Sequence, residues 1–254
     1  MDLGLDGKVA MVAAASSGLG FATAEELAKE GCRLSICGRD PARLSRACDR
    51  LLGTGADVLA RPTDVTDCGD TAAWVAETAQ HFGSIDILVT NCGGVPAGPP
   101  SAMRSKDFDN AFGRVLLPSV NLVTAALPHL RLSPAGRILM LASEAVVRTP
   151  AHFVLSGVAR AGLVPYCHAL VQELSGESLT VNVLAPGAHS TAIHEANRAG
   201  DHAEAIRALE NRTPARRLGH PSEFAAVAAF LASARASYVN GGLIVVDGGL
   251  SATV

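Results

Sequence analysis

Ser156 and Arg160 stand four residues apart in the apolar stretch "VLSGVARAGL" (154–163), which on a helix puts them on one face, a single turn apart. An arginine stays charged at any working pH and offers planar donors, which suits it to hold a ribose, a carboxylate or a developing oxyanion. Neither residue is a useful acid or base: a serine hydroxyl is a very weak acid, and a guanidinium with a pKa above ~12 does not deprotonate. The plainer alternative is that the pair only fixes the helix that carries it. A second stretch with chemistry in it is "AAASSGLG" (13–20), where Gly18 and Gly20 would let the backbone approach a pyrophosphate at a helix amino terminus. A glycine pair is also an ordinary turn; its place directly after an apolar strand run favours the nucleotide. "CGRD" (37–40) then has Gly38 where a ribose-binding acid would stand and Arg39 beside it. Arginine suits a 2′-phosphate, so NADP is favoured, while Asp40 is close enough to keep NAD possible. Arg39 as a solvated loop charge is the competing reading.

Those residues need a frame. Short Val/Ile/Leu-rich runs alternate with segments of helical period: strands are expected at 8–14, 33–37, 57–60, 85–90, 136–142, 179–185 and 243–247. Helices are expected at 18–30, 41–52 and 66–82, in a long segment ending near Arg131, at 153–174 and at 221–234. Pro118 and Pro165 fall inside two of them and each should mark a bend. Strands apolar on both faces and separated by helices describe a doubly wound (Rossmann) α/β domain with a seven-stranded parallel sheet. No linker or repeat interrupts the alternation, so residues 1–254 read as one domain. The irregular stretch 186–215, with a short helical pattern "AEAIRALE", is a candidate lid over a site.

Of the 254 residues 48% are hydrophobic and 18% charged, enough for a full core, and the net charge of -3 with no basic cluster longer than "ARR" leaves no footprint for nucleic acid or an anionic membrane. The apolar run 9–24 is broken by serines, a threonine and glycines, and reads as neither a secretory signal nor a membrane span. Six scattered cysteines without metal-ligand spacing suit reduced thiols in a cytoplasmic protein. His189, His194 and Glu195 lack the HExxH pattern, so no metal is expected, and His152 reads as a surface residue.

In order and spacing, "AAASSGLG", Asp64-Val65, "TNCGG" (90–94), "LPHL" (127–130), Ser143, "NVLAPG" (182–187) and "FLASARASYVNGGLIVVDGG" (230–249) resemble the short-chain dehydrogenase/reductase family, and its 3-oxoacyl-carrier-protein reductase-like subgroup, over nearly the whole chain. The resemblance implies that Ser17, Gly18, Leu19 and Gly20 meet the pyrophosphate, Asp64 and Val65 the adenine, Asn91 and Gly93 the middle of the coenzyme, and Pro186, Gly187 and Thr191 the nicotinamide. The family's usual Thr-Gly pair is here Ala13-Ala14, which would leave coenzyme binding weakened or lost. Of the family's catalytic Asn, Ser, Tyr and Lys, only the serine is kept, as Ser143. Val115, Ser156 and Arg160 stand at the other three positions.

The family uses the phenol as proton donor, its pKa of ~10 lowered by the lysine. Loss of a positioned acid/base costs on the order of 10²- to 10⁴-fold in rate. No other tyrosine replaces it: Tyr166 is about 15 Å along the helix from Ser156, and Tyr238 belongs to the approach to the last strand. Three readings follow. Ser143, Ser156 and Arg160 polarise a carbonyl, making an atypical NAD(P)-linked reductase of a ketone or 3-oxoacyl thioester. Alternatively the chain is a silent subunit in a heterotetramer with an active YxxxK-bearing relative, rather than a homotetramer. The third is a redox-neutral lyase or isomerase. The apolar helix at 153–167 and the long helix before it would form subunit contacts, as in the family.

Overall fold

A computed structural model of the chain describes residues 2–191 and 203–252. Seven strands, β1 (Val9–Val12), β2 (Arg33–Gly38), β3 (Val58–Pro62), β4 (Ile87–Thr90), β5 (Gly136–Leu141), β6 (Leu179–Pro186) and β7 (Leu243–Val246), form one parallel sheet in the order β3-β2-β1-β4-β5-β6-β7. Chain order reverses between β1 and β4, which opens a crevice at the carboxyl ends of those strands, the usual ligand position in such sheets. All of β1, β4, β5 and β6 is buried, as strands with helices over both faces are.

On one face α1 (Gly18–Lys29) and α2 (Pro41–Leu52) pack with the last helix of the chain around Leu27, Leu34, Ile36 and Phe224. On the other, α3 (Cys68–Phe82) lies beside the long central helix around Trp74, Leu88, Leu122 and Ile138. Trp74 is fully buried, and its indole N–H is satisfied by Ser35 Oγ at 2.8 Å, so the large ring leaves no orphan donor under the sheet. Aspartates start two of these helices: Asp40 accepts from the Arg43 amide with Pro41 following, and Asp67 accepts from the Asp70 amide.

The long segment is α4 (Ser105–Ala111), a π-type stretch Phe112–Leu116, and α5 (Leu117–Leu130). Pro118 lacks an amide hydrogen and its ring presses on the carbonyl four residues back, so the wide turn just before it is the form the expected bend takes. The second apolar segment differs from expectation. It is two helices, α6 (Val154–Ala161) and α7 (Leu163–Glu173), joined at Gly162, which places Pro165 in the first turn of α7, where its missing N–H has no intrahelical acceptor to lose. By length and composition the helical segments 105–130 and 154–173 could each cross a membrane; both lie against this sheet, though Leu117 (50%) and Val158 (41%) remain exposed. The helical pattern in the candidate lid is α8 (Ala203–Arg212), and α9 (Pro221–Ala232) follows, ending two residues short of the expected Ala234. All six cysteines are free, and burial pushes the Cys32 and Cys37 thiols up to about 12.

Candidate functional site

The site gathers at the carboxyl ends of β1, β4, β5, β6 and β7. After β1 the chain turns through Ala14, whose φ of +49° is in the left-handed region, and enters α1 at Ser17. Ser17 is exposed and its hydroxyl makes no capping bond to the helix, which leaves it and the first-turn amides of α1 facing outward for an anion. Gly18 (φ +62°) lies under Thr191: a Cβ placed there would be 3.7 Å from Thr191 Cγ2. Gly20 admits no side chain, because a Cβ would stand 2.6 Å from Ala14 O and 2.8 Å from Asn91 Nδ2. Leu19 sends its side chain into the core beside α1, so only its amide is turned to the turn.

At the end of β2, Gly38 is buried with its α-carbon against Ser16; a Cβ would approach the Ser16 side chain to 3.1 Å, so an acidic residue does not fit there without displacing Ser16. Arg39 is exposed and reaches over the crevice, with Nη2 3.8 Å from where a Cβ of Gly93 would be. Asp40 caps α2 and pairs with Arg43 at 3.1 Å, so its carboxylate is engaged away from the crevice. Asp64 accepts from the amide and hydroxyl of Thr66, at 3.0 and 2.8 Å, and the Thr66 amide above all holds it below the usual carboxylate range, with Arg39 adding to the effect. Val65 is buried.

Arg160 donates through Nη1 to Ser156 Oγ at 2.7 Å and through Nη2 to the Gly93 carbonyl at 3.5 Å. Because Ser156 Oγ accepts from the guanidinium, its own hydrogen is free to be given to another group. Arg160 Nε is buried and has no hydrogen-bond partner among the described residues. Ser143, two residues past β5, caps the short turn Glu144–Val146, accepting from the Ala145 amide at 3.2 Å and donating to Glu144 Oε2 at 2.7 Å. That turn packs directly on α6: a Cβ at Gly157 would come 3.1 Å from Ala145 O. Val115 is fully buried in an apolar patch with Ala111, Leu155 and Ala159, so nothing polar projects from this position.

Two site residues escape a reading by motif. Glu144 is half-buried; burial pushes its carboxyl above the ordinary glutamate value and Asp247 pushes the same way, while the Ser143 bond, its own amide and the charge of Arg160 pull it down. The only hint in the sequence is an acid set in the apolar run "LASEAVV". Asp247, just past β7, accepts from the amides of Gly249 and Ser251 and lies against Gly187, where a Cβ would be 2.5 Å from Asp247 Cβ. It borders a small cavity of about 110 Å³ with Ala188, His189, Ala215 and Gly248. His189 is buried, bonded to the Gly187 carbonyl at 2.9 Å and packed edge-on to Phe224, which is a structural post. Pro186 is buried at the end of β6. His194 and Glu195 lie outside the described residues. His152 is exposed beside Phe153, Tyr238 is fully exposed, and Tyr166 is half-buried against the core, its phenol pushed up by burial. Among the described residues no cluster of His, Cys, Asp and Glu could hold a metal ion.

A glycine-lined turn between the first strand and first helix, at the switch point of a seven-stranded parallel sheet, defines a Rossmann-type α/β protein. The chain is 31% identical to an uncharacterized oxidoreductase of Mycobacterium tuberculosis over 97% of its length and 93% of that protein's. It is also 31% identical to short-chain dehydrogenase/reductase SDRA of Arabidopsis thaliana, over 97% and 95% of the two chains. Residues 13–251 match the family described as enoyl-(acyl carrier protein) reductase. L-Sorbose reductase from Gluconobacter frateurii, solved with NADPH and L-sorbose, superposes with a TM-score of 0.94 at 29% identity over all of both chains. A variant of the actinorhodin polyketide ketoreductase, solved with NADPH, gives 0.91 at 27% identity, over 98% of this chain and 99% of that one. The chain therefore belongs to the short-chain dehydrogenase/reductase family of oxidoreductases.

Proposed function

We propose that the protein is an atypical NADP-linked reductase that interconverts a ketone and a hydroxyl, on a 3-oxoacyl thioester or a similar carbonyl compound. The observation that carries this reading is the Ser156–Arg160–Gly93 line at the crevice, with a buried guanidinium nitrogen that has no acceptor among the described residues. The first turn suits a dinucleotide: Gly20 lets α1 start tight against Ala14 and Asn91, Ser17 is exposed and makes no capping bond, and Thr191 lies over Gly18. Ala14 reproduces a glycine-like backbone at φ +49°, so the turn survives the loss of the usual glycine with strain. Arg39 over Gly93, a glycine at position 38 and Asp40 committed to its helix together favour NADP over NAD. The NADPH held by the sorbose and polyketide reductases supports the same choice.

Bound reduced nicotinamide would supply the hydride. The chain's own part is to position the carbonyl and stabilise charge on its oxygen: Ser156 gives a hydrogen while Arg160 holds its oxygen from behind, and Asn91, Gly93, Pro186, Gly187 and Thr191 flank the coenzyme. Residues 186–215 act as the lid, whose later part docks where the Ala215 amide donates to Gly248 O at 3.1 Å. The test is oxidation of NADPH, followed by absorbance, with a panel of ketoses, aryl ketones and acetoacetyl thioesters. Turnover of at least one class supports the reading.

A second reading has its own observation. Val115 closes the asparagine position with apolar side chains, while Leu117, Val158, Phe230 and Val245 stay exposed on helices and the last strand. These faces suit a tetramer, either of this chain alone or with a relative that carries the missing tyrosine and lysine. A silent subunit would show no turnover alone and would copurify with such a relative.

A further inference from the structure

We propose that Glu144 is the proton donor of this site and delivers its proton to the substrate oxygen through the Ser143 hydroxyl. The inference rests on the reductase reading above and supplies what that reading lacks, an ionisable acid in place of the phenol.

Three observations meet here. Ser143 Oγ and Glu144 Oε2 are 2.7 Å apart, within the range of a short hydrogen bond to a carboxyl. The hydroxyl also accepts from the Ala145 amide, which fixes Oγ in place just past β5. And the turn that carries both residues packs on α6, the helix of Ser156 and Arg160. The direction of the serine bond then depends on the carboxyl. An ionised Glu144 accepts the serine hydrogen, so Ser143 has none to offer a substrate. A protonated Glu144 donates to Ser143 Oγ, and the serine hydrogen turns outward.

The charged groups that face Glu144 are Asp247, from the loop after β7, and Arg160, from α6. They act in opposite senses, and burial, the largest influence, raises the carboxyl above the ordinary glutamate value, the direction a proton donor needs. In reduction the carbonyl carbon takes the hydride and its two electrons from the reduced nicotinamide dinucleotide, which is oxidised. The C=O π bond breaks toward oxygen. That oxygen takes the Ser143 proton as Ser143 Oγ takes the proton of Glu144, and the Glu144 carboxylate left behind is reloaded from solvent. Ser156, held by Arg160, donates a hydrogen bond and keeps its proton.

The carboxyl is read first in the free protein, without coenzyme, from the δ-carbon shift of ¹³C-glutamate across a pH titration, with E144Q to assign the signal. A Glu144 signal that stays protonated above the ordinary glutamate range is expected. In turnover, kcat for reduction should fall as pH rises through the same pKa. E144Q keeps a side-chain bond to Ser143 and removes the proton; its kcat should drop on the order of 10²- to 10⁴-fold with the alkaline fall gone, and E144D should recover part of both. S143A with E144Q should be little worse than either alone, as expected of one relay. A carboxyl titrating in the ordinary range, or an E144Q enzyme with wild-type kcat and pH profile, overturns the proposal. NADPH that registers no binding by calorimetry overturns the reductase reading instead, and the carboxyl titration is independent of that result.

Discussion

Ala14→Gly should stabilise the protein. Ala14 has a φ of +49°, and an L-residue in the left-handed region costs about 1–2 kcal/mol through the clash of its Cβ with the following carbonyl. Glycine escapes that clash but loses more chain freedom on folding, about 0.5–1 kcal/mol. The difference leaves about 0.5–1 kcal/mol in favour of glycine, which in a chain of this size amounts to about 2–4 °C per kcal/mol in melting temperature. The same backbone holds Ala14 O against Gly20 at the mouth of the first turn, so relieving the strain should also tighten NADPH binding. Differential scanning calorimetry with and without NADPH reads both effects. A melting temperature equal to or below the wild type's would mean that the turn is not strained at Ala14.

Arg39→Ala should weaken NADPH on the order of tenfold while leaving NADH almost unchanged, measured by fluorescence titration, since the guanidinium stands over the crevice at Gly93. Val115→Asn, which would restore the family's residue, should lower the melting temperature by several degrees, because a polar amide among Ala111, Leu155 and Ala159 lacks partners and costs about 1–3 kcal/mol. Glu144→Gln should raise stability at neutral and alkaline pH and change it little in acid. The folded state binds the Glu144 proton more tightly than the unfolded chain does, so the wild type loses stability as pH rises from the ordinary glutamate range through the raised value, and glutamine has no such loss. Melting temperatures of both proteins across pH 4 to 9, roughly the span of these carboxyl ionisations, check the sign.

The sheet was readable from the sequence because its strands are rich in Val, Ile and Leu: "IDILVT" and "GRILMLA" contain β4 and β5 to within two residues at their ends. The glycine turn after β1 was readable as a turn, since Gly18 takes a positive φ and, with Gly20, comes just after an apolar strand run. The bend in the second apolar segment was readable from Pro165, but its place was not: the junction falls three residues earlier, at Gly162, which keeps right-handed angles and carries no signal of its own. Glu144 and Asp247 were missed for a different reason. Glu144 takes its setting from burial and from Arg160 on α6 as well as from its neighbour Ser143, and Asp247 from Gly187 just past β6, so neither carries a spacing signature. Conversely Asp40, adjacent to Arg39 in sequence, looked available to a ribose and is spent as the cap of α2.

Isothermal titration of the purified protein with NADPH and then NADH tests the central claim most directly. Saturable binding of NADPH, roughly tenfold or more tighter than NADH through the Arg39 charge, is the predicted result. No heat from either coenzyme at millimolar concentration would contradict it and leave the fold as a scaffold for a partner.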